Sequence, residues 1–180
     1  MPRPVEEQLR ARGLELAGPC EQMSRWPELR DLSPLLQDFT AAEAELLGRN
    51  MLLMRARAGQ LLIEEGETSD WMMVLLRGTV DVRKRKVGAG PNGQGENTRL
   101  AVLKEGAVVG EISMLDGEPR DASCWALSDI EAAVLGRVAV GRLIAAHPAV
   151  GAKLLLNLTQ LLAQRLRNLS NQLVKALRKG

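Results

Sequence analysis

An acid directly after a glycine, with an arginine nine residues further on behind a Gly-x-Pro turn, is the arrangement in this chain with the clearest chemistry. It lies in Gly110-Glu111-Ile112-Ser113-Met114-Leu115-Asp116-Gly117-Glu118-Pro119-Arg120-Asp121-Ala122-Ser123. A carboxylate such as Glu111 accepts hydrogen bonds from sugar hydroxyls, as the acid of a dinucleotide fold does. A guanidinium such as Arg120 offers a planar fork of donors to phosphate oxygens. If residues 111–115 form one helical turn, the free N–H groups at its start point at the same anion. The stretch suits a ribose and its phosphate.

Such groups need a frame to hold them. From Met51 onward, short apolar runs fall at 51–56, 61–64, 71–77, 79–83, 99–104, 107–109, 123–127 and 131–136. Separated by Gly, Asp, Ser and charged residues, they predict about eight strands in a sandwich or barrel. Val87 to Gly95 is a glycine-rich excursion. No Gly-Lys-Ser/Thr follows it, so it reads as a solvated hairpin loop rather than a phosphate loop. The basic run Arg83-Lys84-Arg85-Lys86 at its base reads as a solvated strand end.

Helices flank the strands. Val5 to Ala17 predicts a short helix ended by Gly18-Pro19, and Trp26-Pro27 adds a second break. Ser33-Pro34 reads as an N-cap with proline at the first helical position. Thr40 and Glu43 have the spacing of a capping box. Downstream, Val138 to Ala146 predicts a helix, and Pro148 opens another that runs without Gly or Pro from Leu154 to Leu177. At 1.5 Å per residue it reaches about 45 Å. Leu155, Leu158 and Leu162, then Leu166, Leu169 and Leu173, read as two heptad fragments joined by a stutter. The half beyond Arg165 leaves its leucines wet in a monomer, which points to a homodimer.

The stretch from Gly110 to Ser123 resembles the phosphate-binding cassette of the cyclic-nucleotide-binding domain family: Gly-Glu, then Leu, Gly, Pro-Arg and a small or hydroxyl residue. Residues Ala58 to Glu67 and Asp70 to Val80 resemble the opening strands and turns of the same family, and the likeness spans about residues 32–177. The resemblance is to catabolite-activator-like and protein-kinase-A-regulatory-subunit-like members, of a stand-alone bacterial type with no DNA-binding domain. It implies a mainly β fold, an antiparallel eight-stranded β-roll (jelly roll) with N-terminal helices and a long C-terminal helix. Three parts are implied: an appendage at 1–31, the roll at 32–147, and a dimerisation and signalling helix at 148–180. Glu111 would bind the ribose 2′-hydroxyl and Arg120 the exocyclic phosphate oxygens, with the backbone around Gly110, Ile112, Ser113 and Ala122 lining the pocket. Cyclic AMP is the implied ligand, and an unidentified downstream protein the receiver of the signal.

Asp121 departs from the family pattern. A carboxylate there faces the phosphate unless it turns away, and two unit charges about 4 Å apart cost on the order of 4 kcal/mol at an effective dielectric near 20. It keeps open a ligand-free interaction scaffold, or a cyclic di-GMP or nucleic-acid-binding relative.

Composition bounds the rest. A chain of 180 residues is one domain by length, and with one Phe, no Tyr and three Trp its core is aliphatic. No continuous apolar run marks a signal peptide or a membrane span. The two cysteines, Cys20 and Cys124, and the single His147 supply no metal-ligand spacing. No nucleophile–base pair accompanies Glu111 and Arg120, so the reading is of a cytoplasmic, non-enzymatic protein without cofactor or metal. The net charge of +2 hides an asymmetry, because no Asp or Glu occurs from Ala132 to Gly180 while eight cations do. The expected partner of that basic half is acidic surface of its own chain or of a second subunit, rather than nucleic acid.

Overall fold

The computed structural model describes residues 3–21, 23–85 and 97–178. The glycine-rich excursion expected over Val87–Gly95, and Lys86 beside it, lie outside the described residues. The chain runs α1 (Val5–Ala11), β1 (Glu15–Pro19), a single 3₁₀ turn at Met23–Arg25, α2 (Leu29–Leu32), α3 (Ala41–Arg49), β2 (Leu52–Ala56), β3 (Leu61–Ile63), β4 (Trp71–Arg77), β5 (Val80–Arg85), β6 (Asn97–Leu103), β7 (Val108–Val109), α4 (Glu111–Asp116), β8 (Ser123–Ala126), β9 (Ile130–Gly136), α5 (Arg137–Ala146) and α6 (Pro148–Leu177). All strand pairs are antiparallel, in two sheets ordered β1-β2-β9-β4-β7 and β3-β8-β5-β6.

β2 to β9 occupy the eight apolar runs, and their packing explains the patterns. In β4, Trp71, Met73 and Leu75 point between the two sheets, while Met72, Val74 and Leu76 point at the helices. A strand buried on both faces reads as a continuous apolar run, as this one does. The helix-side layer joins Leu35, Leu36, Phe39 and Leu47 to Leu143, Leu154 and Leu158.

The N-terminal segment differs from expectation. The helix anticipated over Val5–Ala17 ends at Ala11, and residues 15–19 form a strand on the edge of the larger sheet, Glu15 opposite Arg55 and Leu16 opposite Met54. Gly13, at φ 72°, makes the turn between them. Leu9 and Leu14 drop into the layer between the sheets.

Ser33 is not an N-cap either. It is extended (φ −97°, ψ 121°) and closes α2, its N–H donating to the Leu29 carbonyl at 2.8 Å. Residues 34–38 run as turns because α6 satisfies their carbonyls. The Asn157 amide donates to Leu35 O (2.9 Å) and Gln37 O (2.8 Å), and Lys153 Nζ to Asp38 O (2.9 Å). The Thr40–Glu43 capping box forms as expected, with Thr40 Oγ1 accepting from Glu43 N–H and Glu43 Oε2 from Thr40 N–H.

α6 has two regimes. Leu154 and Leu158 are buried in the domain, whereas Leu166, Leu169, Leu173 and Leu177 are more than half exposed. Because Leu158 faces inward, the stutter disappears. The outer stripe is a regular heptad: Leu155, Leu162, Leu169 and Ala176 recur every seven residues, with Thr159, Leu166 and Leu173 between. No helix among the described residues is long and apolar enough to cross a membrane.

Candidate functional site

The cassette begins where β7 ends. β7 pairs with β4 (Met73 opposite Val109), which pins Gly110 beside the strand that carries Trp71. Gly110 takes φ 82°, and a Cβ there would lie 2.5 Å from Arg120 Nη1. Glycine is therefore demanded twice, by backbone conformation and by the arginine packed against it. α4 follows for six residues and stops at Gly117 (φ 85°). Arg137, at the start of α5, holds its end, donating from Nε to Met114 O (2.7 Å) and from Nη2 to Ser113 O (3.1 Å).

Arg120 returns to the same place from the far side of the turn. Its backbone is clamped to the β3–β4 connection, with its N–H donating to Glu67 O and its carbonyl accepting from Gly66 N–H, both at 2.8 Å. Its guanidinium is almost wholly buried. Nε donates to Ser69 Oγ at 2.5 Å, Nη1 to Gly110 O at 2.7 Å and Nη2 to Trp71 O at 2.5 Å, and Cζ lies 4.7 Å from the Trp71 ring centroid. Burial pushes its pKa down to about 10, which leaves it a cation at neutral pH. Each terminal nitrogen carries a second hydrogen for a further acceptor.

Glu111 is 1% exposed, and it is not alone. Arg165, from α6, donates Nη1 to Glu111 Oε1 and Nη2 to Val108 O at 2.6 Å. The basic half of the chain thus meets acidic surface of its own domain, as Lys153 also does through Glu43 at 2.7 Å.

A cavity of about 300 Å³ opens at this point. Gly110, Glu111, Ile112, Ser113, Arg120, Asp121 and Ala122 all border it, so the structure gathers every residue singled out in the cassette. The opposite wall is apolar, built by Val82 of β5, Leu100 and Leu103 of β6, and Ile63 of β3, and Arg165 closes one side. Cys124 lies in the lining too, its pKa pushed up to about 12 by burial, which keeps it a thiol. A larger open hollow of about 930 Å³, around Arg55, Arg57, Arg77 and Glu131, lies elsewhere and contains none of the cassette.

Asp121 sits at the rim with its carboxylate turned out, accepting from Lys84 Nζ of β5 at 2.5 Å. The basic strand end is likewise ion-paired rather than merely solvated. Arg83 and Arg99 flank the buried Asp81, whose pKa is lowered chiefly by its bond to Arg99. The cavity-lining residue outside the cassette with a polar head at Glu111 is Arg165, whose position in the chain, 54 residues away, carried no local signal.

Comparison with known proteins gives one consistent result. A sequence model described as "Cyclic nucleotide-binding domain" matches residues 53–147, more than half of the chain. A crystal structure of a cyclic nucleotide-binding domain from Methylobacillus flagellatus superposes with a TM-score of 0.76 and 32% identity, covering 92% of this chain and 90% of that one. The Thermus thermophilus Catabolite Activator Protein superposes with a TM-score of 0.69 and 28% identity, over 78% of this chain and 62% of that one. Among curated proteins, the CRP-like cAMP-activated global transcriptional regulator of Mycobacterium tuberculosis is 30% identical over 64% of this chain and 47% of its own length. The cGMP-dependent protein kinase egl-4 of Caenorhabditis briggsae is 37% identical over 48% of this chain and 10% of its own. The chain thus spans less than half the length of these two curated relatives.

Proposed function

Because the chain belongs to the cyclic nucleotide-binding domain family, we propose that it is a regulatory sensor whose cavity takes a cyclic nucleotide, cyclic AMP in the first place. The observation that carries this reading is the convergence of Glu111 and Arg120, from opposite ends of the cassette, on one cavity bounded by an apolar wall. In it, Glu111 accepts the ribose 2′-hydroxyl. Arg120 donates its remaining hydrogens to the exocyclic phosphate oxygens, and the base lies against Val82, Leu100 and Leu103. The phosphate gains from a cation already desolvated and fixed by three protein acceptors, since little side-chain entropy is left to lose on binding. With Asp121 turned to Lys84, its carboxylate is neutralised at the rim instead of opposing the phosphate. The preference for cyclic AMP leans on the cAMP-activated regulator among the relatives, and cyclic GMP stands second on the strength of the kinase.

The output in this reading passes through α6, which reaches from the site wall to a bare leucine heptad. A second copy packs parallel against that heptad about a two-fold axis, the simplest closed arrangement. Catalysis has no part in it, and the cytoplasm is the proposed compartment.

Isothermal calorimetry with cyclic AMP, cyclic GMP and cyclic di-GMP tests the ligand class. Saturable heat with the first or second supports the sensor. Arg120→Ala then weakens binding by about 1.5–3 kcal/mol through loss of charge-assisted bonds. Silence with all three up to millimolar concentration leaves an interaction scaffold without ligand as the better description.

A further inference from the structure

A second hollow, of about 530 Å³, opens where α1, the end of α3, β2 and α5 meet, and it shares no lining residue with the nucleotide cavity. Its frame is fixed at two points. A Cβ on Gly136, just before α5, would stand 2.6 Å from Val5 Cγ2, so α1 sits directly on that glycine. Asp70 ties down the same corner, its carboxylate accepting from Gln8 Nε2 at 3.2 Å and its carbonyl from Arg137 N–H at 2.8 Å. A concave volume of this size on a preformed frame falls in the range of small-molecule sites.

The lining has two halves. Met51, Leu52, Val134 and Ala139 make an apolar floor, and Val138 is 66% exposed at its lip. Arg3, Arg49 and Arg142 reach it from the segment before α1, from the last turn of α3 and from α5. Unlike the guanidiniums of Arg120, Arg137 and Arg165, none of these three is bonded to a protein acceptor among the described residues. The acids of the lining are Glu6 and Asp70, the latter engaged by Gln8, so the lining carries a single excess positive charge. That balance suits one carboxylate and not a polyphosphate.

We propose that this hollow is a second ligand site, separate from the nucleotide cavity, for a monoanion with an apolar body: an aliphatic carboxylate whose head meets the arginines and whose chain lies on the floor. A guanidinium takes a carboxylate through two parallel N–H bonds, which fixes the head. Burial of the chain adds affinity in proportion to its length. The inference does not depend on the cyclic-nucleotide reading, and its test is read without any nucleotide present.

Hexanoate, heptanoate and octanoate are titrated calorimetrically into the full chain, with neutral hexanamide and inorganic phosphate as controls for each half of the ligand. The carboxylates bind saturably, and affinity rises by about fourfold per added methylene. Hexanamide and phosphate each bind at least about tenfold more weakly than hexanoate, as expected when a charge-assisted contact or the apolar contact is missing. Arg49→Gln with Arg142→Gln lowers octanoate affinity by about tenfold or more, and because both side chains are exposed and unbonded the double variant keeps the wild-type Tm. Methyl resonances of Val5, Leu52 and Val138 move on titration, while those of Val82, Leu100 and Leu103 do not. Absence of saturable heat with octanoate up to about 10 mM overturns the proposal. So does an affinity independent of chain length, equal binding of hexanamide, or full binding by the arginine double variant. Shifts confined to Val82, Leu100 and Leu103 would place the anion in the nucleotide cavity and end the claim of a second site.

Discussion

Replacing Gly110 by alanine separates two demands that meet at the cassette entrance. The first is conformational: φ is 82° at Gly110, and an L-residue in the left-handed region costs about 1–2 kcal/mol. The second is steric: the new Cβ would stand 2.5 Å from Arg120 Nη1 and 3.1 Å from Trp71 O. Overpacking against a buried guanidinium already held by three hydrogen bonds adds about 1–3 kcal/mol. Gly59 supplies the control, since it has φ 85° with nothing within 4 Å of an added Cβ. Gly59→Ala therefore pays the conformational cost alone, and any loss of unfolded-state entropy is common to both variants. Urea denaturation should give a loss of about 1–2 kcal/mol for Gly59→Ala and about 2–5 kcal/mol for Gly110→Ala. In a domain of this size the difference is a further fall in Tm of about 2–12 °C. Gly110→Ala should also weaken cyclic-nucleotide binding, because the atom that must move is the guanidinium. Equal stability losses in the two variants would refute the claim that Arg120 is packed on Gly110.

Asp121→Ala should change cyclic AMP affinity by less than about fivefold, because an exposed ion pair such as that with Lys84 contributes about 0–1 kcal/mol; a large gain would mean that the carboxylate does face the phosphate. Cys20 and Cys124, raised to about 11 and about 12 by burial, should resist a disulfide reagent at about pH 8 until urea unfolds the chain. Since the unfolded thiols ionise near 9.0 and the folded ones do not, the folded state retains more protons above that pH; stability should be full below pH 9.0 and fall as pH rises toward 11, and a flat profile by urea titration counts against the burial of both thiols. Light scattering at tens of micromolar should find a dimer, and Leu166→Asp with Leu169→Asp a folded monomer, since both side chains are more than half exposed within one chain; a monomeric wild type ends the dimer proposal.

What could be read from the residues, and what could not, follows the range of the interactions. The strands between Met51 and Gly136 announce themselves because alternation and breaks are local, and the cassette does so because Gly110, Glu111 and Arg120 belong to one continuous stretch. β1 escapes because Val5, Leu9 and Leu16 give a partial helical period that runs across it, and only pairing with β2 decides. Ser33-Pro34 misleads for a similar reason: the acceptors that favour turns over helix there are satisfied by Asn157, 122 and 120 residues from its partners. Asp121 is the instructive case. Arg120 is committed inward, toward Ser69 and Trp71, while Asp121, in the bend before β8, turns its carboxylate out to Lys84. The repulsion feared from its type is removed by its direction. Glu111 shows the complement. Its type and spacing name the sugar contact, yet the cation beside it comes from 54 residues away, on a helix whose lack of acids says that it will seek carboxylates without saying which. Local pattern finds the groups that would touch a ligand, while the partners that hold those groups, such as Arg165 beside Glu111, come from long-range pairing that no motif contains.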